Sequence, residues 1–364
     1  MANKYYTDDL AERTADLGGN AIINGNFEIW QRGETFTSIA DWGVYTADRW
    51  EWFSWLSGAA QDVSLDAVAD LPTEDGSGVV EELCMLIKCT TADASIISTD
   101  YAMMRQRIEG TVFKKFQGVY GTISFWVQSS KTGTYCVGLR PYNTAQSYVA
   151  EYTINQASTW EKKEITINFN YKDSTAYDQS YWKYDEQEGI QLDWMLTAGT
   201  SWQTAPDTWD GDGSPATANQ VNFFETINNE FRLARVQFEL GKIASPFKFR
   251  QPEQELALCQ RYFLNIGTKA TFPGHATTTT GLWATATFPV EMRVAPTFSY
   301  PAAIGSYRVI YAGSNAVLTS LSMSLSGTAS ALLVGGCAAI LSQGDGCSIY
   351  NSSADAELFF DAEL

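Results

Sequence analysis

The 364-residue sequence predicts an all-β protein: an N-terminal jelly-roll β-sandwich, a short helical neck and a small C-terminal β domain. Two observations support this fold class. Apolar and polar residues alternate over many short segments, which is the pattern of strands with one buried face. Gly and Asn turns separate these segments, and no long amphipathic helix lies between them, which is typical of a sandwich or jelly roll.

The first element is a polar segment, residues 1–18. Thr7-Asp8-Asp9 before Leu10 predicts a helix start, and Gly18-Gly19 predicts its end. A helix this short is marginal in water by itself. We therefore expect 1–18 to be an attachment peptide that docks on a partner; a frayed terminus lying on its own domain is the alternative.

Residues 19–250 carry the period-two segments of the predicted jelly roll. In Gly121–Val127 and Arg235–Leu240, every second residue is apolar or small. In Glu164–Asn170, Ile165 and Ile167 alternate with polar neighbours. Such strands are expected to pair in antiparallel sheets with one face in the core and one in water.

The stretch NAIINGNFEIWQRG, residues 20–33, opens this region. We interpret Asn24-Gly25 as a turn after the first apolar residues, and the rest as a strand that closes the sandwich. Arg32 is placed to pair with a carboxylate such as Asp48 or to stack on Trp30. On this interpretation the motif is structural.

Residues 251–264 are predicted to form the connector helix. Pro252 precedes the helical pattern and acidic residues fill its first turn. Leu256, either Cys259 or Gln260, and Phe263 form a stripe on one face. The segment therefore indicates a neck between two β domains.

Residues 265–364 form the predicted C-terminal β domain. They contain nine charged side chains, three basic and six acidic, and are rich in Ala, Ser, Thr and Gly. Alternation persists near Phe288 and again at Leu358–Leu364. A β domain with so few surface charges is expected to pack on copies of itself, so this is the predicted oligomerisation or tip domain; an ordinary compact domain is the alternative.

Composition excludes several function classes. The formal net charge of −18 disfavours nucleic acid and anionic membranes as partners. No apolar run is long enough to span a bilayer, and no signal peptide is recognised, so synthesis in a cytoplasm is expected. The six cysteines lack a CxxC pair and are expected to be reduced and buried, and a zinc site is disfavoured.

Several stretches together resemble bacteriophage tail and virion fibre proteins with a carbohydrate-binding-module-like jelly roll. In the first domain they are NAIINGNFEIWQRG (20–33), YTADRW (45–50), MRQRIEG (104–110), TISFWVQSSKTGTYCV (122–137) and TWEKKEITINF (159–169). Beyond it they are RVQFELGKIASPFKFR (235–250), QELALCQRYF (254–263), FPVEMRVAPTF (288–298) and AELFFDAEL (356–364). The resemblance implies a structural virion component, a homotrimer, with a sugar-binding-like fold.

Aromatic residues give the strongest binding signal. Sugar rings present apolar C–H faces, so flat aromatic rings near polar side chains are suited to bind glycans. Trp residues crowd into DWGVYTADRWEWFSW (41–55) and into 181–209. The candidate ligand-binding residues are Trp182, Trp202, Trp209, Tyr184 and Trp50. Core or subunit-contact roles are the alternative for each ring.

A structural calcium ion is a second candidate. Asp210 and Asp212 lie in the glycine-containing loop DTWDGDG, although EF-hand spacing and its closing Glu are absent. The resemblance implies a calcium ligand in the strand that opens with Asn-Gly-x-Phe-Glu, which here is Glu28. No other cofactor is expected.

A glycan hydrolase would need two carboxyl groups about 5–10 Å apart with unequal pKa values. Asp185, Glu186, Glu188 and Asp193 lie close in sequence, but acidic loops are common in so acidic a chain. His275 is the only imidazole, and no GxSxG elbow, P-loop or dinucleotide motif occurs. A non-enzyme is therefore predicted, with a hydrolase as the lesser alternative.

The predicted function is a phage virion protein of tail-fibre type that attaches to a host surface glycan. The alternative is a purely architectural capsid-decorating fibre or tail adaptor without a glycan ligand. The expected partners are copies of itself, other virion proteins through residues 1–18, and a host glycan, with no nucleic acid and no membrane insertion. The expected location is the virion, assembled in the host cytoplasm.

Overall fold

The computed structural model describes residues 19–39, 42–141, 146–169, 181–210, 212–353 and 356–364. The chain divides into two compact units, Met1–Pro252 with Leu364, and Glu253–Glu363. The predicted attachment peptide 1–18 lies outside the described residues. We call the first unit the sandwich unit and the second the barrel unit.

The sandwich unit contains two antiparallel sheets in its described part. The six-stranded sheet runs in the order β1 (Thr35–Phe36), β4 (Ala60–Pro72), β5 (Val79–Thr91), β13 (Glu230–Leu240), β7 (Tyr120–Ser129), β10 (Glu161–Asn168). The seven-stranded sheet runs β12 (Trp209–Asp210), β9 (Ser147–Ile154), β8 (Gly133–Arg140), β11 (Glu188–Ala198), β6 (Tyr101–Glu109), β3 (Trp50–Trp55), β2 (Val44–Tyr45). The other elements are α1 (Gly110–Phe113) and 3-10 turns at Lys114–Phe116, Thr200–Trp202 and Phe223–Glu225. This architecture confirms the predicted all-β, jelly-roll-like class.

Strand alternation is confirmed at the edge of the six-stranded sheet. In β10, Ile165 and Ile167 are buried while Thr166 and Asn168 are exposed. The prediction of one wet face fails for β6, β7, β11 and β13, which are buried on both faces along most of their length. Polar and charged clusters, described below, occupy their outer faces.

The core between the two sheets is rich in aromatic rings. Trp50, Trp52 and Trp194 are fully buried. The Trp50 ring lies 4.9 Å from Phe27 and 5.3 Å from Trp194, between ring centroids, in tilted geometries. Because each such side chain buries a large apolar area, these rings supply much of the packing that holds the sheets together.

The opening motif is held by one asparagine. Asn24 has a positive φ of 57°, and its side chain accepts from Ile29 N at 3.0 Å and donates to Ile29 O at 2.8 Å. Its carbonyl accepts from Trp50 Nε1 at 2.9 Å. Gln31 donates to the Asp48 carboxylate, through its backbone N at 2.8 Å and its amide.

Arg32 lies near Tyr45 and Asp48. Its guanidinium lies 5.0 Å from the centroid of the Tyr45 ring, and its charge acts on the Asp48 carboxylate. Burial raises the pKa of Asp48 to about 6, while the hydrogen bonds from Gln31 and the charge of Arg32 act in the opposite direction. The motif thus contacts the core, as its structural interpretation required. The strand predicted within residues 20–33 is wrong, because the backbone there forms turns and bends around Asn24.

The barrel unit begins with the helix α2 (Pro252–Gln260), which is shorter than the predicted 251–264 segment. Its last backbone bond runs from Arg261 N to Ala257 O, and the chain then enters a strand because Phe263 pairs with Asp361. A three-stranded sheet follows the order β14 (Phe263–Ile266), β22 (Leu358–Asp361), β17 (Thr297–Ser299). A 3-10 turn covers Ile304–Ser306.

Six further strands close into a barrel. Their order around it is β15 (Thr271–Ala276), β16 (Gly281–Thr287), β20 (Ser330–Cys337), β19 (Ser314–Ser326), β18 (Tyr307–Tyr311), β21 (Gly346–Asn351). Leu282, Ala284 and Ala286 point inward, while Thr285 and Thr287 are exposed. Because the barrel is closed, its strands leave no unpaired edge that could pair with another chain and promote aggregation.

The prediction that the cysteines are free and buried is confirmed. All six cysteines are described, free and buried. Cys84 and Cys89 lie on opposite faces of β5, since Cys89 belongs to the inter-sheet core and Cys84 packs with Trp126 and Trp160 on the other side. In the described residues, no helix is long and apolar enough to cross a membrane.

Candidate functional site

Two of the five predicted ligand-binding rings lie in the core. Trp50 is fully buried, as described above. Trp182 is 3% exposed and stacks on Phe113, with centroids 5.1 Å apart. Neither ring presents a face to solvent, because packing of the sandwich uses both of them.

Trp209 and Tyr184 are half-buried. Trp209 lies 5.4 Å from Trp182 and 5.3 Å from Tyr148 between ring centroids, and its Nε1 donates to Asn168 O at 3.2 Å. The structure therefore brings Trp182 and Trp209 together, as one cluster at the edge of the core.

Trp202, the remaining candidate, belongs to a different group of rings. It lies in the 3-10 turn after β11, and its Nε1 donates to Thr99 O at 2.9 Å. Its ring meets Tyr101 edge to face at 4.6 Å, and Tyr101 stacks on Phe53 at 5.8 Å. We call the group Trp42, Phe53, Trp55, Tyr101 and Trp202 the aromatic strip.

The strip becomes more exposed away from Trp202. Trp42 lies 6.2 Å from Phe53 and 5.1 Å from Trp55 between ring centroids. Trp42 is 61% exposed and Trp55 41%. These two rings give the strip an open end, whereas Tyr101 is almost fully buried beneath its neighbours.

Local sequence explains which rings reach the outer face. In WEWFSW (β3), Trp50 and Trp52 point into the core. Because side chains alternate along a strand, Phe53 and Trp55 point to the opposite, outer face. On the neighbouring strand β6, Met103 lies opposite Phe53 and Tyr101 lies opposite Trp55. This outer set was not among the predicted binding residues. Strand alternation identifies it once Trp50 and Trp52 are assigned to the core.

A buried ion cluster continues the outer face of the seven-stranded sheet beyond the strip. Arg105 lies 4.3 Å above the Phe53 ring, and its Nε is 2.6 Å from Asp193 Oδ1. Arg140 Nη2 lies 2.8 Å from the other Asp193 oxygen, Oδ2. Asp193 is fully buried, so two guanidinium groups compensate one carboxylate that water does not reach.

Arg107 forms the second half of this cluster. Its NH1 is 2.9 Å from Glu51 Oε2 and its Nε is 3.0 Å from Glu188 Oε2. Arg105 also lies 3.8 Å from Glu51. Three arginines thus balance three carboxylates, which holds the outer face rigid beside the strip.

Burial sets the protonation behaviour of these carboxyls. It raises the pKa of Glu188 to about 6 against the attraction of Arg107, and it raises the pKa of Glu51 in the same way. Burial also acts to raise the pKa of Asp193, but Arg105 and Arg140 outweigh it and hold that pKa below its usual value.

The candidate metal ligands do not converge in the described residues. Glu28 is exposed. Asp210 accepts from Thr204 Oγ1 at 2.7 Å, and Asp212 accepts from Ser214 N at 2.8 Å. Among the residues the structure describes, no group of three or more His, Cys, Asp or Glu side chains is arranged to hold a metal ion.

The four carboxyls considered for hydrolysis separate into two groups. Asp185 and Glu186 are exposed in the segment before β11, where Asp185 accepts from Gln187 N at 3.0 Å. Glu188 and Asp193 belong to the ion cluster and are paired with arginines.

Comparisons with known proteins found no matching family model and no matching curated protein. Solved structures are similar at low identity. An enzymatically active domain of a bacteriophage CBA120 tailspike protein is 11% identical, with a TM-score of 0.31, over 61% of this chain and 21% of that one.

Two further similar structures are shorter proteins matched nearly whole. A putative sugar-binding protein from Bacteroides thetaiotaomicron is 11% identical (TM-score 0.34), over 61% of this chain and 100% of its own. A family 11 carbohydrate-binding module from Clostridium thermocellum is 13% identical (TM-score 0.27), over 58% and 98%. Similarity at this level leaves the function to be inferred from the chain's own residues.

Proposed function

We propose that this chain is a bacteriophage virion component of tail-fibre type that attaches to a host surface glycan through the aromatic strip. The observation that carries the glycan contact is the strip itself, with its exposed end at Trp42 and Trp55. The virion assignment is supported by the ordered sequence resemblance to phage fibre proteins across both units.

The chemistry of the strip suits a saccharide. The exposed Trp42 and Trp55 rings have centroids 5.1 Å apart, so they offer two adjacent apolar surfaces to C–H faces of sugars. Trp202 is held by its hydrogen bond to Thr99, and Phe53 lies under Arg105, which limits the freedom that binding would otherwise remove.

Binding without hydrolysis is the activity we propose. Glu51, Glu188 and Asp193 are the carboxylates of the outer face next to the strip, and each is paired with arginine. A carboxyl that must deliver a proton to a glycosidic oxygen needs access to the substrate, and Asp193 is fully buried.

The barrel unit supports the proposal of a homotrimer. Its outward side chains include Trp283, Ile310 and Val317, all more than a third exposed, on walls otherwise rich in Ser and Thr. A surface with few charges lets copies of a strongly acidic chain approach with the least repulsion. We propose residues 1–18 as the contact with other virion proteins.

The test is binding of the recombinant chain to an array of immobilised polysaccharides, followed by calorimetric titration on those retained. The Trp42→Ala/Trp55→Ala variant should lose at least about tenfold in affinity, because two stacking surfaces disappear. Both side chains are exposed, so folding should be unaffected, which thermal unfolding would verify.

A control variant removes two exposed apolar side chains elsewhere. Val79 and Phe249 are 63% and 56% exposed and lie on the side of the six-stranded sheet, so Val79→Ala/Phe249→Ala should bind like the parent chain. Absence of binding to every polysaccharide by a folded chain, or equal loss in both variants, would favour the architectural alternative.

A further inference from the structure

A buried carboxylate lies next to the aromatic strip. Asp100 directly precedes Tyr101 in the sequence and is fully buried. Its Oδ1 accepts from Ser57 N at 3.1 Å, and its Oδ2 accepts from Ser57 Oγ at 2.8 Å and from Ile97 N at 3.0 Å. A buried charge is costly unless donors replace its lost hydration, and here three donors do so. The carboxylate thus connects the segment after β3 with the turn before β6.

The contacts with Ser57 extend the pairing of β3 and β6. Trp55 is the last residue of β3 and lies opposite Tyr101, the first residue of β6. Ser57 follows Trp55 by two residues, so its bonds to Asp100 hold the chain to β6 beyond the last backbone pair. Trp42 depends on the same arrangement, because its ring centroid lies 5.1 Å from that of Trp55. The exposed end of the strip is therefore fixed through Asp100.

The backbone around Asp100 leads to the other end of the strip. The carbonyl of Asp100 accepts from Gly199 N at 2.7 Å, and the carbonyl of Thr99 accepts from Trp202 Nε1 at 2.9 Å. A Cβ atom at Gly199 would lie 2.2 Å from a carbonyl oxygen of the turn formed by residues 97–100, so the two segments are in close backbone contact. Because the Asp100 carboxylate closes this turn, it also sets the place of Trp202.

We propose that Asp100 is a positioning residue of the aromatic strip, whose carboxylate fixes Trp55 and Trp202 relative to each other before a glycan binds. This proposal rests on the glycan binding proposed for the strip. Asp100 is fully buried, so it acts through the rings and does not contact the glycan itself. Rings that are ordered in advance do not lose side-chain entropy on binding, so the affinity for the glycan is higher.

Glu239 offers a matched control for a purely structural role. Its carboxylate accepts from Ser245 N at 2.6 Å and from Ser245 Oγ at 2.7 Å, the same pair of donor groups that Ser57 gives to Asp100. Glu239 is also buried, but it lies on β13 in the six-stranded sheet, whereas the strip lies on the seven-stranded sheet. Glu239→Ala therefore removes equivalent contacts from the sandwich unit away from the strip.

The first measurement needs no glycan. The rings of Trp42 and Trp55 are close enough to give an exciton couplet in circular dichroism, measured as the difference from the Trp55→Ala variant. Oxidation by N-bromosuccinimide, mapped by peptide mass spectrometry, reports the exposure of Trp202 in the folded chain. Asp100→Ala should reduce the couplet and raise the Trp202 oxidation rate about fivefold, the change in local opening expected when a typical hydrogen bond is lost. Glu239→Ala should change neither signal.

Ser57 provides variants that keep the buried carboxylate, so the test remains decisive if Asp100→Ala does not fold. Ser57→Ala removes the Oγ contact alone and should change both ring signals in the same direction by a smaller amount. Ser57→Thr keeps a hydroxyl group and should give the signals of the parent chain. Ring signals that stay at parent values in Ser57→Ala, or that Ser57→Thr fails to restore, would contradict the proposal.

The second measurement is calorimetric titration with a polysaccharide that the parent chain binds. Asp100→Ala should weaken the affinity about tenfold, because two aromatic side chains must then be ordered on binding, whereas Glu239→Ala should bind like the parent. Unchanged ring signals in Asp100→Ala, displaced rings with parent affinity, or equal effects of Glu239→Ala would each overturn the proposal. A parent chain that binds no polysaccharide would overturn the proposed function instead, and the ring signals would then decide by themselves whether Asp100 positions the strip.

Discussion

The sandwich unit and the barrel unit stabilise β-sheets in opposite ways. The sandwich unit buries Arg105, Arg140 and Asp193 on one outer face, and Arg235 on the other, where it pairs with Glu82. Of the described barrel-strand residues, Asn351 is the buried polar one; the inward side chains are otherwise apolar. In the sandwich unit, both outer faces contain charged side chains that are buried. In the barrel unit, the interior is apolar and the outer wall carries few charges.

This difference bears on where function can lie. Buried ion pairs are weak evidence of net stability, because desolvation offsets much of the attraction, but they fix geometry in a directional way. In the sandwich unit that geometry supports the aromatic strip, since Arg105 contacts both Asp193 and Phe53. The barrel wall has no such support and suits contacts made by shape alone.

The largest effect should come from breaking the ion cluster. Asp193→Ala leaves Arg140 buried without its carboxylate partner and leaves Arg105 with the longer contact to Glu51, so the sandwich unit should lose about 3–5 kcal/mol of unfolding free energy. Differential scanning calorimetry would show one transition moving down while the transition of the barrel unit stays in place.

Asp185→Ala is the control for that experiment. Asp185 is an exposed acidic residue near the same strand, and its loss should change stability by less than about 0.5 kcal/mol. If the two substitutions lowered the unfolding free energy equally, the buried cluster would contribute no more to stability than an exposed carboxylate does. The proposed difference between the two units would then be wrong.

The barrel unit should instead be sensitive to cavities. Leu333 is fully buried, and Leu333→Ala should cost about 3 kcal/mol through lost burial and an unfilled void. Its neighbour Leu332 points outward and is half-buried, so Leu332→Ala should cost much less. Urea unfolding followed at the barrel's transition would measure both; similar losses would contradict the inward-outward alternation.

The sequence predicted the strands well and the outer faces poorly. Alternation in β10 placed Ile165 and Ile167 in the core correctly, because each strand's period depends only on local residues. Trp50 and Trp182 looked like ligand-binding rings because the sequence reports aromatic density but not direction. The pairing of Arg105 with Asp193 joins residues 88 positions apart, and only the register of β6 and β11 brings them together.

The helix between the units shows the same limit. An apolar stripe through Phe263 extended the predicted helix, yet Phe263 pairs in a sheet with a residue close to the chain end. Local helical periodicity could not anticipate that long-range partner, and tertiary pairing overrode it.

The two units should also differ in pH dependence. Burial raises the pKa of Asp48 from 3.8 to about 6, so the native sandwich binds protons that the unfolded chain releases between these values. Its stability should therefore increase as pH falls from 7 to 4.5, by about 2 kcal/mol from Asp48, with a further gain from Glu188. Below about pH 4 the lowered pKa of Asp193 reverses the trend.

Asp48→Asn tests this assignment. The amide keeps a hydrogen-bonding partner for Gln31 but cannot titrate, so the variant should lose about half of the pH dependence. Among the described residues of the barrel unit, the groups with shifted pKa values are Tyr307, Cys337 and Cys347, and burial raises each of these pKa values further above this range. A barrel transition that moved as much as the sandwich transition would contradict the contrast.

The smallest effect should come from ion pairs at the surface of the sandwich unit. Lys131 pairs with Glu225, whose side chain is 45% exposed, so water already solvates much of the pair and Lys131→Gln should cost less than about 1 kcal/mol. Chemical denaturation at low and high salt would measure this cost, which should shrink further as salt screens the charges. Arg308→Gln on the barrel wall, where Arg308 hydrogen-bonds Asn315 at 2.7 Å, should be equally mild. If Lys131→Gln instead cost as much as Asp193→Ala, then charge anywhere on the sandwich would stabilise it, and burial would not be what separates the two units.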